Sequence, residues 1–298
     1  MKSVYTFADL SSRELLDAGS LKPAKLAVIG MPVAHSASPQ MHQAALDALS
    51  IDARYIRLEL TSEEFQPALQ RLAELGFIGC NVTVPHKFLA LESCDDVHPD
   101  ARALGSVNTI RFDADAIRGF NTDGPGFAGA IHEAFDQPLA SLKVAIAGAA
   151  GGAGQAIATQ CLLSGVQQLV LINRSIDKLA NLVTRLEGFH ADTNIIALSL
   201  EAPDLHTHCL DSDLLVNTSS LGLKTGDASI LPDDCIKQDH LVYDTIYKPP
   251  LTPLLQLAQR KGCRTENGFS MLIHQGALAF QLWFPNTHPI EVMRQALS

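Results

Sequence analysis

Charge is scarce in this chain, and positive charge is scarcer than negative. Only 18% of its 298 residues are Asp, Glu, Lys or Arg, and 22 basic side chains stand against 32 acidic ones, a net charge of −10. A general nucleic-acid or anionic-membrane binder needs a basic face, which this balance does not supply. Low charge beside 47% hydrophobic residues also excludes a disordered chain. The six cysteines, at 80, 94, 161, 209, 235 and 263, form no CxxC and no short pairing interval. They are expected as buried thiols in a reducing cytoplasm, not as a disulfide framework. Met1-Lys2-Ser3-Val4-Tyr5 lacks the apolar core of a signal peptide. Between Lys143 and Arg174 there is no charged residue, but Gly148, Gly151, Gly152 and Gly154 divide that stretch. It reads as strand, turn, helix and strand and not as a membrane span.

The length is enough for two domains of roughly 150 residues each. An amphipathic segment from Ser11 to Ala18 is expected as an N-terminal helix, peripheral to function. Short β-type runs then alternate with helical ones. Leu26–Ile29 ends at Gly30, and Pro39–Leu49 has helical spacing with Ser38 as N-cap. Tyr55–Leu60 alternates like a strand. Ser62–Leu75 reads as a helix closed by Gly76, Phe77–Val84 as a strand stopped by Pro85, and Val107–Phe112 with Ile117 as a hairpin. A Gly124-Pro125-Gly126 turn is expected to lead into a helix from Phe127 to Phe135. Strands follow at Val144–Ala147, Leu169–Ile172, Leu214–Val216 and Leu241–Tyr243, and helices at Ser270–Trp283 and Pro289–Leu297. Such alternation implies βαβ units and parallel sheet.

Val144–Ala158 has the order of a nucleotide-binding βα unit: apolar strand, glycine-dense turn, apolar helix. Glycines let a pyrophosphate approach the helix N-terminus, where free N–H groups favour an anion. The next strand ends in Asn173-Arg174-Ser175, with Lys178 just beyond, and has no acid to hold a ribose 2′-hydroxyl. A guanidinium, a hydroxyl and an ammonium suit an added 2′-phosphate, so NADP(H) is expected over NAD.

Polar clusters mark the ends of other strands: His35-Ser36-Ala37-Ser38-Pro39, Asn81-Val82-Thr83-Val84-Pro85-His86-Lys87 and Asn121-Thr122-Asp123-Gly124. Singly, each has an ordinary explanation as cap, surface lysine or turn. Together with Gly105-x-Val107-Asn108-Thr109, Asn217-Thr-Ser-Ser-Leu-Gly222, Asp244-x-x-Tyr247-x-Pro249-x-x-Thr252, Asn267-Gly268 and Met271-Leu-x-x-Gln275, their order resembles the shikimate dehydrogenase family. The resemblance runs from about residue 26 to residue 284. It implies two α/β domains. An N-terminal substrate-binding domain with a mostly parallel sheet would span residues 1–122 and be completed by C-terminal helices, 268–298. A Rossmann-like NADP-binding domain would span 123–267. The implied activity is reversible, NADP-linked reduction of 3-dehydroshikimate to shikimate in aromatic amino-acid biosynthesis.

By motif match, Lys87 and Asp123 would be the catalytic pair. Ser36, Ser38, Thr83 and Tyr247 would hold the substrate carboxylate, and Asn81, Asn108, Lys87, Asp123 and Gln275 would complete the substrate site. Gly148, Ala149, Ala150, Gly151, Gly152, Ala153, Asn173, Arg174, Ser175 and Lys178 would contact the cofactor, with Gly268 beside the nicotinamide. A ketone reduced by hydride also needs a proton, which a lysine beside a carboxylate can give. No metal is required, and His206-Thr-His208-Cys209 reads as an acidic loop with a few histidines. The glycine loop is one residue longer than the usual family form, and Gln155 stands where a basic residue often follows it. The expected partner is a small-molecule substrate, with no nucleic acid or membrane, and the chain is expected as a monomer or homodimer.

Other readings remain. A quinate/shikimate or aminoshikimate dehydrogenase would share these motifs. A short-chain dehydrogenase would need a downstream Tyr-x-x-x-Lys pair, which is absent. A non-catalytic ligand sensor on the same fold would be expected to lack Lys87 or Asp123, and both are present.

Overall fold

The computed structural model describes residues 2–189 and 193–298. The chain divides into two compact units, Met1–Thr122 with Gln275–Ser298, and Asp123–His274.

The first unit carries a seven-stranded sheet made of β1 (Tyr5–Thr6), β2 (Ala24–Gly30), β3 (Arg54–Glu59), β4 (Gly79–Val82), β5 (Asp96–Val97), β6 (Thr109–Phe112) and β7 (Ile117–Phe120). Their order is β1-β3-β2-β4-β6-β7-β5. Pairing is parallel from β1 through β4 and between β5 and β7, while β6 runs antiparallel to both neighbours. β2 is buried at every position but Lys25, the pattern of a central strand covered on both faces.

Helices α1 (Arg13–Asp17), α2 (Ser38–Ala48), α3 (Ser62–Glu74), α4 (Lys87–Ser93) and α5 (Pro99–Leu104) belong to this unit. Thr61 and Glu64 close a reciprocal capping box on α3, and Gly76 follows its end at φ +70°. The chain's tryptophan, Trp283, donates its indole N–H to Ile110 O at 2.9 Å. It lies so close over Gly79 that a Cβ there would sit 2.1 Å from Nε1.

The second unit holds β8 (Lys143–Ala147), β9 (Gln168–Asn173), β10 (Asn194–Ser199), β11 (Leu214–Asn217), β12 (Leu241–Asp244) and β13 (Arg264–Asn267). All are parallel, in the order β10-β9-β8-β11-β12-β13. Alternate residues of β8 serve opposite faces. Val144 and Ile146 pack with α6 (Asp123–Phe135), α7 (Gly152–Leu163) and α8 (Ala180–Glu187). Ala145 and Ala147 pack with α9 (Leu205–Leu210) and α10 (Pro253–Arg260). Two covered faces explain why the strand reads as an unbroken apolar run. α11 (Phe269–Trp283) passes from the second unit into the first, and α12 (Ile290–Leu297) packs on α2. Among the described residues no helix is long and apolar enough to cross a membrane.

Local expectations differ from the structure at several points. The N-terminal segment is a 3-10 turn, Phe7–Ser11, then α1, broken at Ser12, which caps α1 by accepting from Leu15 N. Tyr5 and Thr6 join the sheet as an edge strand. Ser38 is the first helical residue of α2 and not its cap, because Ser36 Oγ already accepts the Ser38 N–H at 3.3 Å. Gly124-Pro125-Gly126 lies inside the first turn of α6. Proline is tolerated there because first-turn N–H groups have no intrahelical acceptor.

Candidate active site

In the first sheet the chain leaves β2 toward β3 on one side, while β4 pairs on the other. The C-terminal ends of β2 and β4 therefore border a topological switch point, where α/β sheets place ligands. Gly30 ends β2 against Thr83, and a Cβ at Gly30 would lie 2.5 Å from Thr83 Cγ2. The loop that follows is tied down on three sides. Met31 N donates to Val84 O at 3.1 Å, Val33 N to Glu59 Oε2 at 3.1 Å, and Arg57 donates to Ser36 O from Nε at 3.2 Å and Nη2 at 2.7 Å. Ser36, Ser38 and Thr83 thus stand on anchored backbone at neighbouring strand ends.

Lys87 opens α4, half-buried, and its carbonyl accepts from Val107 N at 3.0 Å. That bond sets the start of α4 beside the segment carrying Asn108. The preceding His86 is buried, with Nε2 2.8 Å from Leu60 O and its ring stacked on Phe65 at 5.1 Å. Lys87 therefore projects from a helix start with a fixed root.

Beneath these residues lies a continuous buried polar network. Tyr55 Oη donates to Asn81 Oδ1 at 2.7 Å. Asn81 Nδ2 donates to Thr109 Oγ1 at 3.1 Å and Asn108 O at 3.4 Å. Asn108 Oδ1 accepts from Thr122 N at 2.8 Å, and its Nδ2 donates to Thr122 Oγ1 at 3.0 Å. Asn121 Nδ2 donates to Ser106 O and Oγ at 2.9 and 3.0 Å. Burial holds the Tyr55 phenol well above its usual range, so it is a donor and not a phenolate. Both amide hydrogens of Asn81 are used inside the network, which makes it a support for its neighbours. Tyr55 and Arg57 escaped sequence reasoning. Each sits on the alternating strand β3, where nothing local separates them from ordinary half-buried positions.

Gln275 lies on α11 in the first unit, next to Gly276, where a Cβ would meet the end of the Met41 side chain of α2 at 2.5 Å from Cε. The other two expected substrate residues belong to the second unit. Asp123 opens α6, directly after Thr122, and Tyr247 stands 38% exposed in the loop after β12. That loop is rooted on Asp244, which is fully buried. Asp244 accepts from Asn217 Nδ2 at 3.1 Å, Thr252 Oγ1 at 2.6 Å and Ile246 N at 3.0 Å. Burial raises its carboxyl pKa, opposed by these donors.

The second sheet has its own switch point between β8 and β11. There Gly148 turns at φ +84°, packed so closely on Ser219 that a Cβ would lie 2.8 Å from Ser219 N. A cavity of about 580 Å³ opens at this point. It brings together Gly148, Ala150 and Gly151 with Asn173, Arg174, Ser175 and Lys178, and adds Ser219, Leu223 and Lys224. Arg174 and Lys178 are exposed, and Asn173 Nδ2 ties back to Ser175 O at 2.9 Å. Gly152, at the head of α7, has nothing within 4 Å of where a Cβ would be. An exposed helix N-terminus flanked by two cations fits a doubly phosphorylated dinucleotide with a 2′-phosphate.

Besides Gly152, three expected cofactor residues stand elsewhere than on the cavity wall. The Ala149 side chain is in the core and its N–H bonds Ile172 O at 3.2 Å, so it props the loop from behind. Ala153 is exposed on the first turn of α7. Gly268 is required by packing, since a Cβ would sit 2.0 Å from Thr245 O.

A family model for the shikimate dehydrogenase substrate binding domain matches residues 28–110, and one for the shikimate 5'-dehydrogenase C-terminal domain matches residues 268–297. The NADP(+) shikimate dehydrogenase of Methanopyrus kandleri is 37% identical over 272 residues, covering 91% of this chain and 93% of the relative. The chain belongs to the shikimate dehydrogenase family. Within it, the structure is similar to shikimate 5-dehydrogenase from Listeria monocytogenes, solved in complex with shikimate and NAD. The TM-score is 0.87 at 32% identity, with 92% of this chain and 96% of that chain covered. Quinate dehydrogenase from Corynebacterium glutamicum, in complex with NAD, is similar at a TM-score of 0.82 and 28% identity, covering 91% and 97%.

Proposed function

We propose that this chain catalyses the reversible NADP(H)-dependent reduction of 3-dehydroshikimate to shikimate in aromatic amino-acid biosynthesis. What carries the reading is a switch-point site in each of the two units. One has hydroxyl and amide side chains and Lys87 at and just beyond the ends of neighbouring strands, and the other is a glycine loop beside Arg174 and Lys178. Membership of a family whose matched relative is 37% identical supports it.

Ser36, Ser38 and Thr83 are assigned to the substrate carboxylate, with Tyr247. Hydroxyls suit this task because they bind the anion without setting a second cation beside Lys87. Asn108 and Gln275 are assigned to ring hydroxyls, and Asn81 to holding Asn108 and Thr109. NADPH, when bound, supplies the hydride. Lys87 gives the proton to the carbonyl oxygen as negative charge develops on it, and takes it back in the oxidation direction. Asp123 accepts a hydrogen bond from a substrate hydroxyl. Arg174, Ser175 and Lys178 hold the 2′-phosphate, and Gly151 and Gly152 lie where the pyrophosphate meets α7. All six cysteines are unpaired, in keeping with a cytoplasmic enzyme, which we expect to be a monomer or homodimer.

The test is steady-state oxidation of shikimate and of quinate, each with NADP+ and NAD+. Strong preference for shikimate with NADP+ is expected. Preference for quinate, or for NAD+, would move the chain to the catabolic side of its family. Binding without turnover in every combination would make it a sensor.

A further inference from the structure

The two departures of the glycine loop, its additional residue and the glutamine that follows it, are physically connected. Gln155 lies on the first turns of α7. Its Nε2 donates to Ala150 O at 2.9 Å, and its Oε1 accepts from Arg185 Nη2 on α8 at 3.3 Å. The next amide along, Gly151 N, donates to Gly148 O at 3.0 Å. The peptide unit joining Ala150 to Gly151 is therefore held at both ends, which fixes its plane.

That plane decides what the cavity presents to an anion. Ala150 lines the cavity, whereas Gln155 does not, so the Ala150 carbonyl oxygen is drawn toward a donor off the cavity wall. A carbonyl oxygen turned inward would repel a pyrophosphate, while one drawn back leaves the N-terminus of α7 in front. Arg185 is half-buried, and its Nε is buried with no hydrogen-bond partner among the described residues. Desolvation lowers its pKa. A cation kept in such surroundings against a neutral amide is costly, and its hydrogen bond to Gln155 links it to the loop.

We infer that Gln155, braced by Arg185, is a positioning residue for the cofactor loop, the side chain by which this longer loop keeps a phosphate-accepting shape. The inference rests on the cofactor reading above and deepens it.

The experiment is calorimetric titration of NADP+ into the full-length protein without substrate, alongside steady-state kinetics and thermal unfolding. Gln155→Ala is expected to weaken NADP+ binding about tenfold, or about 1.4 kcal/mol. KM for NADP+ rises in step, while kcat, KM for shikimate and the unfolding midpoint stay near those of the unaltered protein. Gln155→Glu keeps an acceptor for Arg185 but cannot donate to Ala150 O, and is expected to bind no better than Gln155→Ala. Arg185→Met loses about threefold, Arg185→Lys recovers it, and the Gln155→Ala/Arg185→Met double variant is no worse than Gln155→Ala alone. Undiminished NADP+ binding by Gln155→Ala, full affinity in Gln155→Glu, or additive losses in the double variant would overturn the inference and leave the cofactor reading standing. Failure of the unaltered protein to bind NADP+ would overturn both.

Discussion

The Tyr55 phenol donates a 2.7 Å hydrogen bond to Asn81 Oδ1, and neither side chain is more than 6% exposed. Tyr55→Phe removes the donor and leaves a buried amide oxygen unsatisfied. The expected cost is about 1–3 kcal/mol, read by urea unfolding. Because Asn81 also braces Asn108 and Thr109, KM for shikimate should rise while NADP+ affinity holds. Wild-type stability in this variant would mean that Asn81 finds another donor and is not held by Tyr55.

Lys87→Met preserves much of the volume and stem at the start of α4 while removing the proton donor. General acid–base contributions are typically about 10²–10⁴-fold, so kcat should fall by that order with NADP+ binding retained. Unchanged turnover would remove Lys87 from the proton transfer.

Removing the two exposed cations at the end of β9 should blur cofactor choice. Arg174→Ala with Lys178→Ala is expected to raise KM for NADP+ by about 100-fold or more, because each of the two charge-assisted bonds to phosphate is worth about 1.5–3 kcal/mol. KM for NAD+ should change little. Equal losses with both cofactors would place these side chains on the shared part of the dinucleotide.

Stability should fall in mild acid. Burial holds His42, stacked on Tyr55 at 4.6 Å, down to about 3, and His240 down to about 4, against an ordinary value of 6.5. Both folded-state values are depressed, so below pH 6.5 the unfolded chain binds protons that the native state refuses. Each histidine then removes stability as pH falls, by about 1.4 kcal/mol per pH unit, until its folded pKa is reached. His42→Phe keeps the ring stack and should flatten the slope by one such increment between about pH 5.5 and 4, in urea unfolding across a pH series. Parallel slopes for the two proteins would sink this account.

The parts of the fold carried by long periodic segments were legible in the sequence. The central strands and the helices α2, α3 and α11 follow from apolar spacing and end signals such as Gly76. β1 and β5, two residues each, offer no periodicity to detect, and they exist only because a neighbouring strand is there to pair with. Site residues with a motif around them could be proposed in advance. Tyr55, Arg57 and Arg185 could not, because what sets them apart is the atom each one reaches: Asn81 Oδ1, Ser36 O and Gln155 Oε1. Ser38 shows the opposite failure. Its residue type predicts a cap, yet the helix begins one residue earlier than that, with Ala37 in the cap position and Ser38 as the first helical residue.

Trp283, the chain's one tryptophan, is wedged between Gly79 and the Ile110 carbonyl in the first unit, whereas the second unit has only Tyr243 and Tyr247 among the chain's four tyrosines. Excited selectively, the indole is a native optical label confined to the first unit. Its emission reports on the packing of α11 against β4 and β6, where the indole meets Gly79 and the Ile110 carbonyl.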